Sequence, residues 1–307
     1  MLARLQQATT LGLLFAAVAW LAYHWGSSPV LGSMGFAAIV LAYSLFLAIE
    51  FVALYFVNRR DAATVPAPRW GDLLRAWWGE TRVAPGVFCW RQPFRSQAVP
   101  DHLAPATQGR RGVVLVHGFV CNRGFWTPWL HALRAGDHAF VALSLEPVLG
   151  SIDDYPPQIE AAVQRVTLAT GLAPVLVCHS MGGLAARAWL RSRPDGDNAH
   201  ARVHRIVTIG TPHGGTWLGR FSPLMNGQQM RLAGAWVTDI AAAEAGRPAT
   251  PFICWYSNCD NIVFPTATGM LHGAHNRFVP GTAHVALAFS PVVKGSTLDA
   301  LRTDRWD

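Results

Sequence analysis

Hydrophobic positions are spread unevenly along the chain: two long apolar runs lie near the N-terminus, and from about residue 111 short apolar runs alternate with longer stretches of mixed character. The first long run, residues 9–25, reads "TTLGLLFAAVAWLAYHW" and carries no Asp, Glu, Lys or Arg. The second, from about Val30 to Val57, reads "VLGSMGFAAIVLAYSLFLAIEFVALYFV" and carries one such residue, Glu50. Each approaches or exceeds the roughly 20 apolar residues that a helix needs to cross a bilayer. Joined by the short polar turn "GSSP", they predict a transmembrane helical hairpin over residues 1–60. A carboxyl in hydrocarbon is costly, so Glu50 is expected to face the partner helix, to snorkel, or to be protonated.

Beyond Arg111 the pattern becomes that of a soluble domain. "GVVLVHG", "AFVALSL", "APVLVCHS", "HRIVTIG" and "PFICWYS" are short, rich in β-branched residues, and separated by segments long enough for helices. Near-continuous apolar strands of this kind predict a mostly parallel sheet covered on both faces, an α/β doubly wound domain over residues 111–307. Between the two regions, residues 61–110 form a juxtamembrane linker rich in Trp and Arg. Trp70, Trp77, Trp78 and Trp90 lie there among arginines, and "WGDLLRAWW" suits either a short interfacial helix or tryptophans packed on the edge of the domain.

Composition sharpens this picture in three respects. A hydrophobic fraction of 51% with only 14% charged residues is apolar for a soluble chain, and the excess sits in the two N-terminal runs. The formal net charge of +7 comes almost wholly from arginine, with a single lysine, Lys294, and no basic run longer than a pair. That argues against a nucleic-acid partner and for anionic lipid near the membrane. Five scattered cysteines lack metal-type spacing and are expected as free thiols, although Cys254 and Cys259 could pair across a loop in an oxidising compartment.

The arginines also orient the hairpin. Arg4 precedes the first run, the turn carries no Lys or Arg, and Arg59, Arg60, Arg69 and Arg75 follow the second. By the positive-inside rule both ends, and the domain that follows the hairpin, are expected to face the cytoplasm of a multi-pass inner-membrane protein. If only the second run spans, the domain lies instead on the periplasmic face. A signal peptide is the other reading of the first run, but "AYHWGSS" makes a poor small-residue cleavage site.

Candidate chemistry is concentrated in the second half. "APVLVCHS" followed by "MGGLAARAWLRSR" reads as a buried strand, a sharp turn at Ser180 and an alanine-rich helix, the context of a nucleophile elbow. The elbow needs small residues two before and two after the serine. Gly182 meets the second requirement, and Cys178 replaces the usual first glycine while still being small. The strand ending at His117-Gly118 leads into a loop from which the N–H of Phe119 can serve an oxyanion, with the N–H of Met181 as the second donor. A serine needs a base, and the base an orienting carboxylate. Asp260, just past the strand "PFICWYS", and His284, in a loop after glycine and small residues, follow in the order this fold uses. His179, His213, His272 and His275 compete for the role of base, and Asp239 for that of carboxylate. His117 reads as structural.

"LVHGF", "HSMGG", "GTPHGGT", "YSNCDNIVFP" and "VPGTAHVAL", in this order, resemble the bacterial triacylglycerol lipases and related esterases of the α/β-hydrolase superfamily. The resemblance covers roughly Gly112 to Pro291. It implies an α/β-hydrolase fold, a triad of Ser180, Asp260 and His284, and a lipid or acyl-ester substrate cleaved through an acyl-enzyme. It also implies that residues 217–250 form a cap or lid over an acyl pocket, unless they are an ordinary connecting helix. Some lipases hold a calcium ion near the catalytic aspartate, but no carboxylate cluster suits one here, so no cofactor or metal is expected. An acyltransferase with the same triad, and a non-catalytic membrane-tethered binding module, are the alternative functions the residues leave open.

Overall fold

The computed structural model describes residues 1–60, 65–192, 199–245 and 251–306. The two N-terminal runs form α1 (Leu2–Trp25) and α2 (Pro29–Arg60), packed side by side as a hairpin. Small residues let the helices approach: Ala17 is fully buried, and a Cβ at Gly32 would lie 3.2 Å from the Leu21 carbonyl oxygen. Outside this seam both helices expose large apolar side chains, among them Phe15 and Val18 of α1 and Met34, Leu41 and Phe46 of α2. A helix that is apolar on its exposed faces suits lipid rather than water.

The linker is folded structure from residue 65 onward; residues 61–64 lie outside the described residues. α3 (Trp70–Pro85) runs antiparallel to the second half of α2, with Tyr55 stacked near Trp70, Trp77 Nε1 donating to the Ser44 carbonyl at 2.9 Å, and the Tyr43 hydroxyl donating to the Thr81 carbonyl. A short turn, α4 (Gln92–Phe94), meets the start of α1, where Gln7 Nε2 donates to the Pro93 carbonyl at 2.6 Å. Thus both ends of the hairpin rest on the domain, and its turn points away.

Among the described residues the sheet has six parallel strands: β1 (Val113–Val116), β2 (Phe140–Ala142), β3 (Val175–His179), β4 (Arg205–Ile209), β5 (Phe252–Tyr256) and β6 (His275–Phe278), in the order β2-β1-β3-β4-β5-β6. β1 to β5 fall on the five apolar runs. β6, "HNRF", has no apolar pattern, because it is an edge strand whose residues are exposed or half-buried. The flanking helices are α5 (Thr127–Ala135), α6 (Pro156–Thr170), α7 (Met181–Arg191), α8 (Met225–Gln229), α9 (Ala235–Glu244), α10 (His284–Phe289) and α11 (Pro291–Thr303).

Strand alternation divides the core into two layers. Val114, Val116, Leu176 and Ile206 pack with Ile159 and Val163 of α6 and Leu184 and Trp189 of α7. Val113, Leu115, Val177 and Val207 pack on the other face with Trp129 and Leu133 of α5 and Val293 and Leu301 of α11. A third cluster seats the hairpin: Phe51 and Leu54 of α2 and Leu73 and Ala76 of α3 meet Cys259, Phe264 and Ala283, which lie beyond the ends of β5 and β6. Glu50 belongs to this junction. It faces the α/β domain, not the partner helix or water, and its Oε2 accepts from Asn261 Nδ2 at 2.7 Å. The five cysteines are free, so Cys254 and Cys259 do not pair.

Candidate active site

β3 ends at His179 and α7 begins at Met181, which leaves Ser180 alone in the turn with φ 55° and ψ −128°. A non-glycine residue in such a conformation costs of order 1–3 kcal/mol and persists only where its surroundings fix it. Here the Ser180 N–H donates to the Ile209 carbonyl at 2.9 Å, and the Ser180 carbonyl accepts from Thr211 Oγ1 at 2.8 Å. The residues around it must be small. A Cβ at Gly118 would stand 2.7 Å from Ser180 Cβ, and one at Gly182 would stand 2.4 Å from the Val116 carbonyl oxygen. Cys178 is held by the sheet between Val116 and Thr208, fully buried, and is not among the residues of positive φ. The left-handed step falls on the serine, so position 178 tolerates a side chain, and burial pushes its thiol pKa up and keeps it inert.

Asp260 and His284 meet beyond the strand ends, both buried. His284 Nδ1 lies 2.9 Å from each Asp260 oxygen, and Asp260 Oδ1 also accepts from the N–H groups of Ile262 and Val263 at 3.0 and 2.8 Å. A carboxylate only accepts, so Nδ1 carries the proton and Nε2 is left as the basic nitrogen. Burial works against the imidazolium, but the adjoining Asp260 outweighs it by charge and hydrogen bond, and the net pKa is raised. Gly210, at φ 56°, makes room for this pair: a Cβ there would lie 2.8 Å from Asp260 Oδ2.

His284 is not in a loop, as its glycine-rich approach suggests, but opens α10. The ring of His179, the residue before Ser180, lies 4.6 Å from the His284 ring and stacks on Phe125 at 4.4 Å. His179 Nε2 donates to the His284 carbonyl at 3.2 Å, a contact that sequence reasoning missed. Phe119 is half-buried against the cluster that holds Met181, Ile152 and Met230, on the loop whose Gly118 touches Ser180.

The rival residues are engaged elsewhere. His213 lies 3.0 Å from Thr208 Oγ1, His272 and His275 are exposed, and Asp239 is exposed on α9. His117 Nε2 accepts from the Leu145 N–H at 2.9 Å while Nδ1 donates to the Gly118 carbonyl, and burial lowers its pKa to about 4. It is a neutral strut. Among the described residues no group of three or more His, Cys, Asp or Glu could hold a metal ion.

A family model described as "Alpha/beta hydrolase family" matches residues 113–293, more than half of the chain and the whole of the region just described. The chain belongs to the alpha/beta hydrolase family. Two solved lipase structures share the hydrolase fold. A mature Bacillus licheniformis lipase, BlEst2, superposes with a TM-score of 0.55 at 16% identity, covering 66% of this chain and 95% of that one. Aspergillus fumigatus lipase B superposes with a TM-score of 0.59 at 14% identity, covering 94% of this hydrolase and 86% of that one. A search of curated protein sequences finds no match.

Proposed function

We propose that this chain is a membrane-anchored serine hydrolase that cleaves fatty acyl esters through Ser180, His284 and Asp260. The observation that carries the reading is the His284–Asp260 pair at 2.9 Å, on the sheet edge where Ser180 is held in its strained turn. In this reading His284 Nε2 takes the Ser180 proton as the hydroxyl attacks the ester carbonyl, while Asp260 fixes the tautomer and stabilises the imidazolium. The N–H groups of Phe119 and Met181 receive the oxyanion. The alcohol leaves with the proton from His284, and water, deprotonated by the same imidazole, then releases the acid from the acyl-enzyme.

The lipid-facing hairpin supports an acyl-ester substrate. An enzyme held at a bilayer meets lipid at high effective concentration, whereas a soluble ester gains nothing from that placement. Both hairpin ends rest on the domain, which favours a domain on the same side as the N-terminus, and the arginines flanking the hairpin favour the cytoplasmic side. Of the cap expected over residues 217–250, residues 246–250 lie outside the described residues. We assign the cap to the stretch 217–230: Met230 joins the cluster of Phe119 and Met181, and Phe221 and Met225 are exposed apolar residues.

The test is turnover of p-nitrophenyl esters of short, medium and long acyl chains by detergent-solubilised protein. Ser180→Ala is expected to lower kcat by about 10⁴- to 10⁶-fold. Equal rates in both proteins, or a preference for the shortest ester, would overturn the nucleophile or the lipid substrate respectively.

A further inference from the structure

The main chain around His284 is held from two sides. The His284 N–H donates to Asn261 Oδ1 at 3.2 Å, and Asn261 is itself held by Glu50 of α2 at 2.7 Å. On the other side, the next two N–H groups, of Val285 and Ala286, donate to Glu80 of α3, one to each carboxylate oxygen, at 2.8 and 3.0 Å. Glu80 is only 2% exposed. The first N–H groups of a helix have no partner within it, and a carboxylate that accepts two of them fixes both the start of the helix and the direction of its first side chain. That side chain is the His284 imidazole.

We propose that Glu80 is a positioning residue for His284, and that α3, which lies outside the region matched to the family, completes the active site. The proposal rests on the catalytic role assigned to His284 above. A buried carboxylate is costly to keep unless its hydrogen bonds are needed, and burial pushes the Glu80 carboxyl up to about 7. No apolar side chain could hold the two N–H groups. The contact also explains why α3 is fixed against α10: Glu80 is the polar link between them, beside the apolar contacts of Leu73 and Ala76 with Ala283. Because α3 packs along α2, the placement of His284 depends on the helices that meet the bilayer.

The experiment uses the full-length protein in detergent. Glu80→Gln keeps the shape of the side chain but supplies one acceptor oxygen, and sets an NH₂ group against a backbone N–H. The expected result is a fall in kcat of about 10²-fold with KM little changed, the signature of a misplaced catalytic group and not of lost substrate binding. A second readout separates positioning from general weakening. The charged groups facing Glu80 are His284 and Asp260 and, from α2, Glu50. Loss of the Glu80 charge disfavours the imidazolium, so the acid limb of kcat/KM moves to lower pH. If Glu80→Gln fails to fold, Glu80→Asp, which keeps the charge but is one methylene shorter and withdraws from the Val285 and Ala286 N–H groups, carries the same test through the kcat-against-KM split. A folded variant with unchanged kcat and an unmoved acid limb, or a loss confined to KM, overturns the proposal. Ser180→Ala and His284→Ala measured alongside distinguish the two levels: if they retain activity, the catalytic reading fails and this one with it; if they lose it while Glu80→Gln does not, only the positioning role falls.

Discussion

Gly182 and Cys178 stand two residues either side of Ser180, and they obey different constraints. At Gly182 a Cβ would meet main-chain oxygens of Val116 and His117 at 2.4 and 2.7 Å, and main chain in the middle of a sheet cannot give way. Gly182→Ala is therefore expected to destabilise the protein by about 1–3 kcal/mol and to abolish ester turnover by displacing the elbow. Cys178→Gly should cost only about 1–2 kcal/mol, from backbone freedom and lost packing in the strand, and leave kcat nearly intact. Thermal unfolding and turnover of both variants check this, and an inactive but folded Cys178→Gly protein would contradict it. The titration of His284 gives a second prediction at this scale. In the proposed mechanism its raised pKa means that the inactive imidazolium persists above the ordinary imidazole value of about 6.5, so activity is expected to fall as pH is lowered through a midpoint above that value. A kcat/KM profile with its acid limb below pH 6.5 would contradict it. Ser180, Asp260 and His284 were legible as candidates because each sits in a local pattern of strand, glycine and small residues. The roles of Glu80, Glu50 and His179 around His284 were not legible, because each acts through a hydrogen bond to residues about 100 or more positions away, and nothing in "WWGET" or "FLAIEFV" signals that bond.

At the scale of elements, strands buried on both faces write themselves into the sequence as apolar runs, which is why β1 to β5 could be read and β6 could not. Helix α9 shows the opposite limit, since its apolar residues do not say what it is fastened to. Arg187 of α7, almost wholly buried, donates to both carboxylate oxygens of Glu244 at 2.8 and 2.7 Å and to the His213 carbonyl at 2.8 Å. The pair fastens α9 to the helix that follows Ser180. Breaking one side of such a pair leaves a buried, unpaired charge and typically costs about 3–5 kcal/mol, more than the pair itself adds relative to apolar residues of the same size. Glu244→Ala is accordingly expected to lower stability by roughly that amount, whereas the double replacement Arg187→Met, Glu244→Leu should recover most of it. Thermal unfolding of the single and double variants decides the matter: equal losses in both would mean that the ion pair is not what holds α9.

For the whole molecule, the hairpin proposed as an anchor is also a wall of the α/β domain. Its exposed apolar side runs along α2 from Val30 to Phe56, about 40 Å at 1.5 Å per residue, yet from Tyr43 onward the other side of the same helix packs against α3 and the segments next to Asp260 and His284. Removing residues 1–64 would thus do more than remove the proposed anchor. Phe51 and Leu54 are buried in the junction, and a fully buried side chain of this kind contributes about 1.5–3 kcal/mol. Together they contribute about 3–6 kcal/mol, comparable to the low end of the roughly 5–15 kcal/mol stability of a typical domain. The deletion would also strip Asn58 from Thr266, bonded to it at 2.9 Å, and Glu50 from Asn261, and would uncover Leu73 and Phe264 to water. A fragment beginning at residue 65 is therefore expected to aggregate or to fold without esterase activity, even though it contains Ser180, Asp260, His284 and every residue matched to the family. Size-exclusion chromatography and p-nitrophenyl ester turnover of that fragment are the check. A monodisperse fragment as active as the full chain would show that the hairpin is not a wall of the domain, and that Glu50, the carboxylate it brings to the site, is dispensable.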